Sequence, residues 1–252
     1  MSRRILVAGE TSVTYHVHHK GITTYGEASH AVELGRFLQA MDAGGWDVTH
    51  VPNHTATREF PSSAEALAPY DVVVLSDITS DTLLLHPDTT VRYQRTPDRL
   101  RLLGEHAAGG AGLLMIGGYM SFSGIEGKAR YHATRLRDVL PVEMLGIDDR
   151  IEEVEGIVPQ VVAADHPILD GVPGAWPHFL GYNRLRQREG GEVLMTIGAD
   201  RDPFLAVASH GAGRVAAIAS DCAPHWGSPE FLGWQHYDRF WNNLVGWLAG
   251  DR

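Results

Sequence analysis

The stretch Gly112–Gly124, GLLMIGGYMSFSG, decides how the chain folds. Its first five residues form a short, continuous apolar run, and Gly117 and Gly118 follow directly. An apolar run of this length that ends in a turn signal predicts a buried β-strand. Because polar and apolar residues do not alternate within it, the strand is expected to be covered on both faces, as in a parallel sheet.

Similar runs recur upstream and are separated by helical patterns. Three further strands are predicted at Arg4–Ala8, Asp47–Val51 and Asp71–Ser76. Helices are predicted at Ala28–Met41, before a pair of glycines, and at Pro97–Ala108, which has proline in its first turn. Strands that alternate with helices indicate an α/β protein with a mostly parallel sheet.

The second half of the chain has a different pattern. The runs Phe204–Ser209 and Arg214–Ser220 flank a short glycine-containing turn and predict a β-hairpin. A closing helix is predicted at Phe231–Leu248. Its apolar face is spaced at three and four residues and consists of Trp234, Tyr237, Trp241, Leu244 and Leu248. The proline-rich residues 121–190 predict loops with a few short strands.

Composition excludes several classes of protein. The 252 residues are 44% hydrophobic, enough for one large domain spanning residues 1–252. A net charge of −10 without a basic stripe argues against nucleic-acid binding, and no apolar run approaches the length of a membrane helix. Cys222 is the sole cysteine, so no intrachain disulfide can form, and a cytoplasmic location is predicted. Six tryptophans and long loops predict a homo-oligomer.

A ligand site is predicted beyond the carboxyl ends of the parallel strands, where open α/β sheets bind small molecules. The polar residues that follow the strands are expected to form its wall: Glu10, Ser12, Asp77, Tyr119, Ser121, Asp221, His225 and Trp226. Tyr119, His225 and Glu10 are candidates for acid/base catalysis. The others are candidates for binding a small polar ligand, for which no cofactor is predicted.

The turn after Gly112–Ile116 resembles a nucleophile elbow, which presents one side chain at the top of a sheet. The chain as a whole, in its order of elements, resembles the glutamine amidotransferase-like family. The residues that carry the resemblance are the elbow, the turn Gly211–Arg214 and the segment Ser220–Trp226, SDCAPHW. This family is a branch of the class I glutamine amidotransferase-like superfamily, near the trehalose-utilisation-type proteins. The resemblance covers nearly all 252 residues and implies a flavodoxin-like three-layer sandwich.

The resemblance also implies what the site lacks. Active amidotransferases carry cysteine in a Gly-x-Cys-x-Gly elbow, and aligning Gly117 on the first glycine puts Tyr119 at the nucleophile position. Their His-Pro-Glu has its nearest counterpart in His225, with Pro229 and Glu230 following after a gap. A phenol, with a reference pKa of about 10 against about 8.5 for a thiol, is a poor nucleophile at neutral pH. The sequence therefore predicts a degenerate site without glutaminase activity.

Other functions stay open at this point. The protein could be a catalytically silent binding or regulatory module, or Ser121 or Ser123 could pair with His225 in a hydrolase. Cys222 could also pair with His225, although a small buried residue is the commoner role for a lone cysteine.

A metal-dependent hydrolase is a further alternative. It would use His16 and His18, which point to the same side of an extended chain, with a third ligand from His54, Asp77 or His225. The acidic run at residues 148–153 is interpreted as a solvated face or a subunit contact.

Overall fold

The computed structural model describes residues 3–251. Within them the strands, in chain order, are β1 (Arg4–Gly9), β2 (Thr11–Lys20), β3 (Thr23–Val32), β4 (Asp47–Val51), β5 (Val72–Ser76), β6 (Gly112–Ile116), β7 (Val142–Met144), β8 (Arg150–Ile157), β9 (Gln160–Val161), β10 (Phe179–Asn183), β11 (Leu185–Gln187), β12 (Glu192–Ile197), β13 (Asp202–His210) and β14 (Gly213–Ile218). The α-helices are α1 (Gly35–Ala43), α2 (Asn53–Glu59), α3 (Ala64–Leu67), α4 (Ser80–Leu84), α5 (Pro87–Thr90), α6 (Arg99–Ala108), α7 (Pro229–Leu232) and α8 (Tyr237–Leu248). Short 3₁₀ helices lie at Ile125–Gly127, Tyr131–Ala133, Arg135–Asp138 and Pro167–Leu169.

The main sheet has the strand order β4-β1-β5-β6-β14-β13-β12-β9. Strands β4, β1, β5, β6 and β14 run parallel, and β13, β12 and β9 extend the sheet in antiparallel fashion. Helices α6 and α8 each pack on β6 and β14, and α1 packs on α8. This is the predicted α/β architecture. The side chains of β1, β5 and β6 are buried on both faces, which is why continuous apolar runs predict these strands, whereas the edge strand β4 is only half-buried.

One predicted helix begins too early. Residues 28–32 of the predicted helix Ala28–Met41 belong to β3, and the helix itself starts at Gly35. Every residue of Thr23–Val32 is paired with β2 in an unbroken antiparallel register, and this pairing overrides the local helical pattern. The true amphipathic stripe of α1 is Phe37, Ala40 and Met41, all buried.

The β2–β3 pair forms a two-stranded ribbon that does not join the main sheet. It leaves the body at Glu10 and returns at Glu33, whose backbone N–H donates to the carbonyl of Glu10 (3.1 Å). The predicted hairpin near the C-terminus is present as β13 and β14, and residues 121–190 contain short strands and 3₁₀ turns as expected.

The predicted closing helix is divided in two. Helix α7 ends at Leu232, and α8 begins at Tyr237. The apolar face of α8 is docked as expected, with Tyr237, Trp241 and Leu244 fully buried. Trp234 lies in the break and is only partly buried. No helix described between residues 3 and 251 is long and apolar enough to span a membrane.

Candidate functional site

A pocket of about 240 Å³ opens at the carboxyl ends of β1, β5, β6 and β14. Its lining residues are Glu10, Glu33, Asp77, Tyr119, Asp221, Pro224 and His225. A larger cavity of about 830 Å³ lies along β12 and residues 200–203, on the antiparallel side of the sheet. We place the candidate site in the smaller pocket because ligands of open α/β sheets bind at the carboxyl edge and because buried titratable groups converge there.

Backbone strain is concentrated around this pocket. Glu10, Asp77 and His225 all have positive φ angles, of 54°, 43° and 115°. Residues other than glycine rarely adopt such angles. Such angles persist where the surrounding structure enforces them, commonly at functional sites. The tight turns that follow the strands therefore position three of the predicted site residues.

Glu10 is a buried acid of the pocket, with 3% of its surface exposed. One carboxyl oxygen, Oε2, accepts a hydrogen bond from the Ser76 hydroxyl. Burial, and then the neighbouring charges of Asp221 and Asp77, raise the pKa of Glu10 well above its ordinary value. The buried site therefore favours the protonated form of Glu10.

Asp221 and His225 form a hydrogen-bonded pair. The buried Asp221 Oδ2 is 3.1 Å from His225 Nδ1 and also accepts from the backbone N–H of Trp226 (3.0 Å). Burial and the charge of Asp77 raise the pKa of Asp221 well above its ordinary value. The imidazole is 46% exposed, and because its Nδ1 faces Asp221, Nε2 is the nitrogen left for a ligand.

Asp77 and Asp221 face each other across the backbone of Gly118. Asp77 Oδ1 accepts from the backbone N–H of Met120 (2.6 Å), and burial raises the pKa of Asp77. A Cβ atom on Gly118 would lie 2.6 Å from Asp77 Oδ1 and 2.8 Å from Asp221 Oδ1. Only glycine at position 118 leaves room for both carboxyl groups.

Tyr119 lines the pocket, and its hydroxyl is bound by a residue outside the predicted set. The hydroxyl donates to Glu152 Oε1 on β8 (2.6 Å), and the ring packs edge-on against His225 at 4.3 Å between centroids. Burial and the charge of Glu152 raise the pKa of Tyr119, so the phenol stays protonated.

The turn at Gly117–Gly124 also differs from an ideal elbow. No α-helix follows β6 directly, and the positive φ falls on Gly118 and not on Tyr119. The Tyr119 side chain at the sheet edge is therefore held by its hydrogen bond to Glu152 and its packing on His225, and not by a strained turn at the start of a helix.

Three of the predicted residues do not reach the pocket. Ser12 is exposed on the ribbon, since pairing with Ala31 carries it away from the sheet edge. Ser121 is buried, donates to the carbonyl of Ile116 (2.6 Å) and accepts from the backbone N–H of Asp77. Trp226 is buried, and its indole donates to Glu152 Oε2 (3.0 Å), so it cannot stack on a ligand.

The alternative nucleophiles are committed elsewhere. Ser123 is buried; its hydroxyl donates to the carbonyl of Leu145, and its histidine neighbour is His132 (3.3 Å from Nδ1). Cys222 is fully buried with its sulfur 3.7 Å from the Ser76 hydroxyl, and burial raises the pKa of its thiol well above the ordinary value. The interpretation of Cys222 as a core residue agrees with this burial.

His16 and His18, the first two ligands of the metal alternative, lie on the ribbon. His18 pairs with Glu27 (2.9 Å) and stacks on Tyr25. Across residues 3–251, no three His, Cys, Asp or Glu side chains are placed together so that they could hold a metal ion.

Sequence reasoning missed two acids near the pocket. Glu33 was hidden because the sequence placed it inside a helix. Glu152 belongs to the acidic run at 148–153, whose buried member Asp149 accepts backbone N–H bonds from Ser123 and Gly124 (both 2.9 Å). Burial raises the pKa of Asp149 to about 6. The run is thus part of the structure that holds the turn after β6, and not simply a solvated face.

Comparison with known proteins agrees with this architecture. Residues 4–250 match the family described as "Putative glutamine amidotransferase". The chain is 42% identical to Cytoplasmic Protein STM1381 from Salmonella typhimurium LT2 (TM-score 0.92; 97% of this chain and 99% of that one). It is 39% identical to Cytoplasmic Protein STM3548 from Salmonella typhimurium (TM-score 0.92; 97% and 98%).

A more distant likeness extends to the fold alone. A thua-like protein from Parabacteroides merdae shares 10% identity, with a TM-score of 0.58 over 99% of this chain and 91% of that one. Among curated proteins, none is significantly similar to the chain.

Proposed function

The chain belongs to the glutamine amidotransferase-like family, and within that family we propose that it is an acid/base enzyme for a small polar metabolite and not a glutaminase. The observation that carries the proposal is the Asp221–His225 hydrogen bond beside the buried carboxyl group of Glu10 in one pocket. A base held by a buried carboxyl group and a second group that retains its proton are the two parts that proton transfer requires. The names of the two Salmonella relatives support a cytoplasmic location.

Each pocket residue has a proposed role. Asp221 orients the imidazole, so that Nε2 of His225 acts as the base. Glu10 acts as the proton donor, because its buried site favours the protonated form. Tyr119, predicted as a catalytic residue, is assigned a positioning role: its hydroxyl is bound to Glu152 and its ring supports His225.

The acidic lining restricts the ligand. Glu10, Glu33, Asp77 and Asp221 offer oxygens that accept hydrogen bonds from hydroxyl or ammonium groups. A ligand carboxylate would be repelled by these groups and would lose its hydration on entry. A volume of about 240 Å³ suits a compact ligand, and a polyhydroxylated or amino-sugar-like metabolite fits these requirements best.

A second candidate is a catalytically silent binding module. It is favoured by the absence of cysteine at the elbow and by the capture of the Tyr119 hydroxyl by Glu152. The two candidates share the ligand and differ only in whether the ligand is converted.

The experiment is a thermal-shift screen with neutral polyols, sugars and amino sugars, followed by assays of turnover for each hit, since specific binding raises the melting temperature. We expect His225→Gln to retain binding and to lower turnover by about 10²–10⁴-fold, the usual contribution of a general base. Ser12→Ala, outside the pocket, is the matched control and should behave as the unmodified protein. Hits whose shifts are unchanged in both Glu10→Gln and Asp77→Asn would place the site elsewhere, and hits that bind without conversion would favour the silent module.

No ammonia release from glutamine is expected, because Tyr119 offers a protonated phenol where a thiolate is required. The measurement is a coupled glutamate assay at high enzyme concentration. Tyr119→Cys supplies a thiol but not surroundings that would ionise it, since the buried acids of the pocket oppose a further negative charge. This variant should therefore also fail to release ammonia. Glutamine hydrolysis that is lost in His225→Gln would contradict this expectation.

Glu10→Gln is expected to stabilise the protein at alkaline pH. Since burial raises the folded-state pKa of Glu10 well above its ordinary value, the folded state holds this proton more tightly, and stability falls as pH rises from the unfolded pKa toward the folded pKa. The variant does not lose stability in this way. In the unmodified protein the loss amounts to about 1.4 kcal/mol for each pH unit by which the pKa of Glu10 is raised.

The measurement is urea unfolding at acid and at alkaline pH. The gain should grow with pH and be absent near the unfolded pKa. Glu59→Gln makes the same chemical change at an exposed carboxyl and should show no such trend. If the free energies of unfolding of Glu10→Gln and the unmodified protein differ by the same amount at every pH, the pKa of Glu10 is not raised by burial.

A further inference from the structure

The β2–β3 ribbon has one apolar and one polar face, because neighbouring side chains of a strand point to opposite sides. The apolar face carries Val13, Tyr15 and Val17 of β2 opposite His30, Ala28 and Gly26 of β3. The polar face carries Thr14, His16 and His18 opposite Ser29, Glu27 and Tyr25. We call the first set the apolar face of the ribbon.

Little of the described structure covers this face. Tyr15 is 77% exposed and Val17 is 61% exposed. The ribbon touches the body near its root, where the His30 ring lies against His54 with 4.7 Å between centroids. A two-stranded hairpin alone is at best marginally stable in water, so a ribbon of this length with an apolar face is typical of a contact surface.

We propose that the apolar face of the ribbon is the contact surface between two copies of this chain. The face consists of a ridge and a groove side by side: Tyr15 lies opposite Ala28, and Val17 lies opposite Gly26. When two ribbons stack about a two-fold axis along their length, β2 of one copy lies over β3 of the other. The large residues of each copy then fit over the small residues of its partner, as a self-complementary two-fold interface requires.

Charge also favours a second copy. Lys20 and Glu27 balance each other and are the only residues of the Lys, Arg, Asp and Glu types between residues 11 and 32, whereas the chain carries a net charge of −10. The ribbon surface itself therefore brings no cluster of like charges together when the partner is a second copy of this chain. The histidines on the polar face remain in water.

The size of the face sets the strength of the interface. Ten residues per strand give a length of about 33 Å at roughly 3.3 Å per residue. A strip of two strands is smaller than the ~800 Å² per partner that is typical of stable interfaces. The proposed dimer should therefore dissociate on dilution through the micromolar range.

The first test is sedimentation equilibrium of the full chain from about 1 to about 200 μM, the range in which a small interface dissociates. We expect a dimer at the upper end. Tyr15→Asp should weaken the association at least tenfold, and Thr14→Asp, its neighbour on the polar face, should not. A monomer at the highest concentration, or equal weakening by both variants, would overturn the proposal.

A second test does not depend on the stability of a charged variant. Chains with Tyr15→Cys are mixed with chains with Ala28→Cys and treated with a bis-maleimide linker of about 8 Å, because sheets packed face to face lie about 10 Å apart, too far for a disulfide. A cross-linked heterodimer is expected. The matched pair on the polar face, Thr14→Cys with Ser29→Cys, should give much less. The native Cys222 is buried and does not compete. Equal cross-linking of the two pairs would indicate edge-to-edge pairing of ribbons and would overturn the face-to-face contact.

Discussion

Trp241→Ala should lower the free energy of unfolding by about 3–5 kcal/mol, the usual cost of truncating a large aromatic side chain in a core. Trp241 has no exposed surface and packs edge-on against Phe37 of α1, with 5.1 Å between ring centroids. It also contacts Phe240 and Tyr237 of its own helix. Removal of the indole would leave a cavity between α1, α8 and the sheet that these rings cannot fill without moving.

The measurement is urea denaturation, with two comparison variants. Trp247→Ala makes the same change on the same helix at a partly buried position and should cost less than half as much. Trp241→Phe should also be mild, because the indole N–H of Trp241 is buried without a hydrogen-bond partner among the described residues and only ring volume is lost. Equal costs for Trp241→Ala and Trp247→Ala would show that α8 is not docked as described.

Gly118→Ala should disable the pocket and destabilise the fold together. Gly118 has a φ of +139°. Residues other than glycine avoid this region, and adopting it costs them about 1–3 kcal/mol. Its Cβ would also fall within 3 Å of carboxyl oxygens of both Asp77 and Asp221. The two acids would have to separate, which would move His225 through its bond to Asp221.

The matched control is Gly110→Ala. Gly110 has a similar φ of +121°, but nothing lies within 4 Å of the position of its Cβ. Both variants should lose stability through backbone strain, measured by urea unfolding, and only Gly118→Ala should abolish the thermal shifts caused by ligands. Ligand shifts that survive in Gly118→Ala would mean that the Asp77–Asp221 juxtaposition does not form the binding site.

The sequence was sufficient for the parallel core. Runs such as Gly112–Ile116 and Val72–Ser76 are buried on both faces, so their apolar character is continuous and their boundaries are marked by glycine or charged residues. It was insufficient for β3, because the residues at 28–32 have no strong preference of their own and take their conformation from pairing with β2. Local patterns of apolar residues indicate which elements are buried in the core, and the ribbon is not buried.

The candidate site, too, could be predicted only in part from the sequence. Glu10, Asp77, Tyr119, Asp221 and His225 could be placed at one edge because each follows a strand, and the carboxyl ends of parallel strands share an edge. The direction of each side chain could not be predicted. The two hydroxyls nearest the elbow, Ser121 and Ser123, are used to hold the turn, since buried hydroxyls are bonded to whatever acceptor the tertiary structure provides.

What the sequence alone determined is the family and the central parallel strands of the sheet. Only the tertiary structure decided that Glu33 joins the pocket, that Glu152 takes the Tyr119 hydroxyl and that Trp226 is buried. The reason is physical: strand periodicity and composition depend on near neighbours in the chain. Hydrogen bonds such as Tyr119–Glu152 join residues 33 positions apart, and the fold alone sets their geometry.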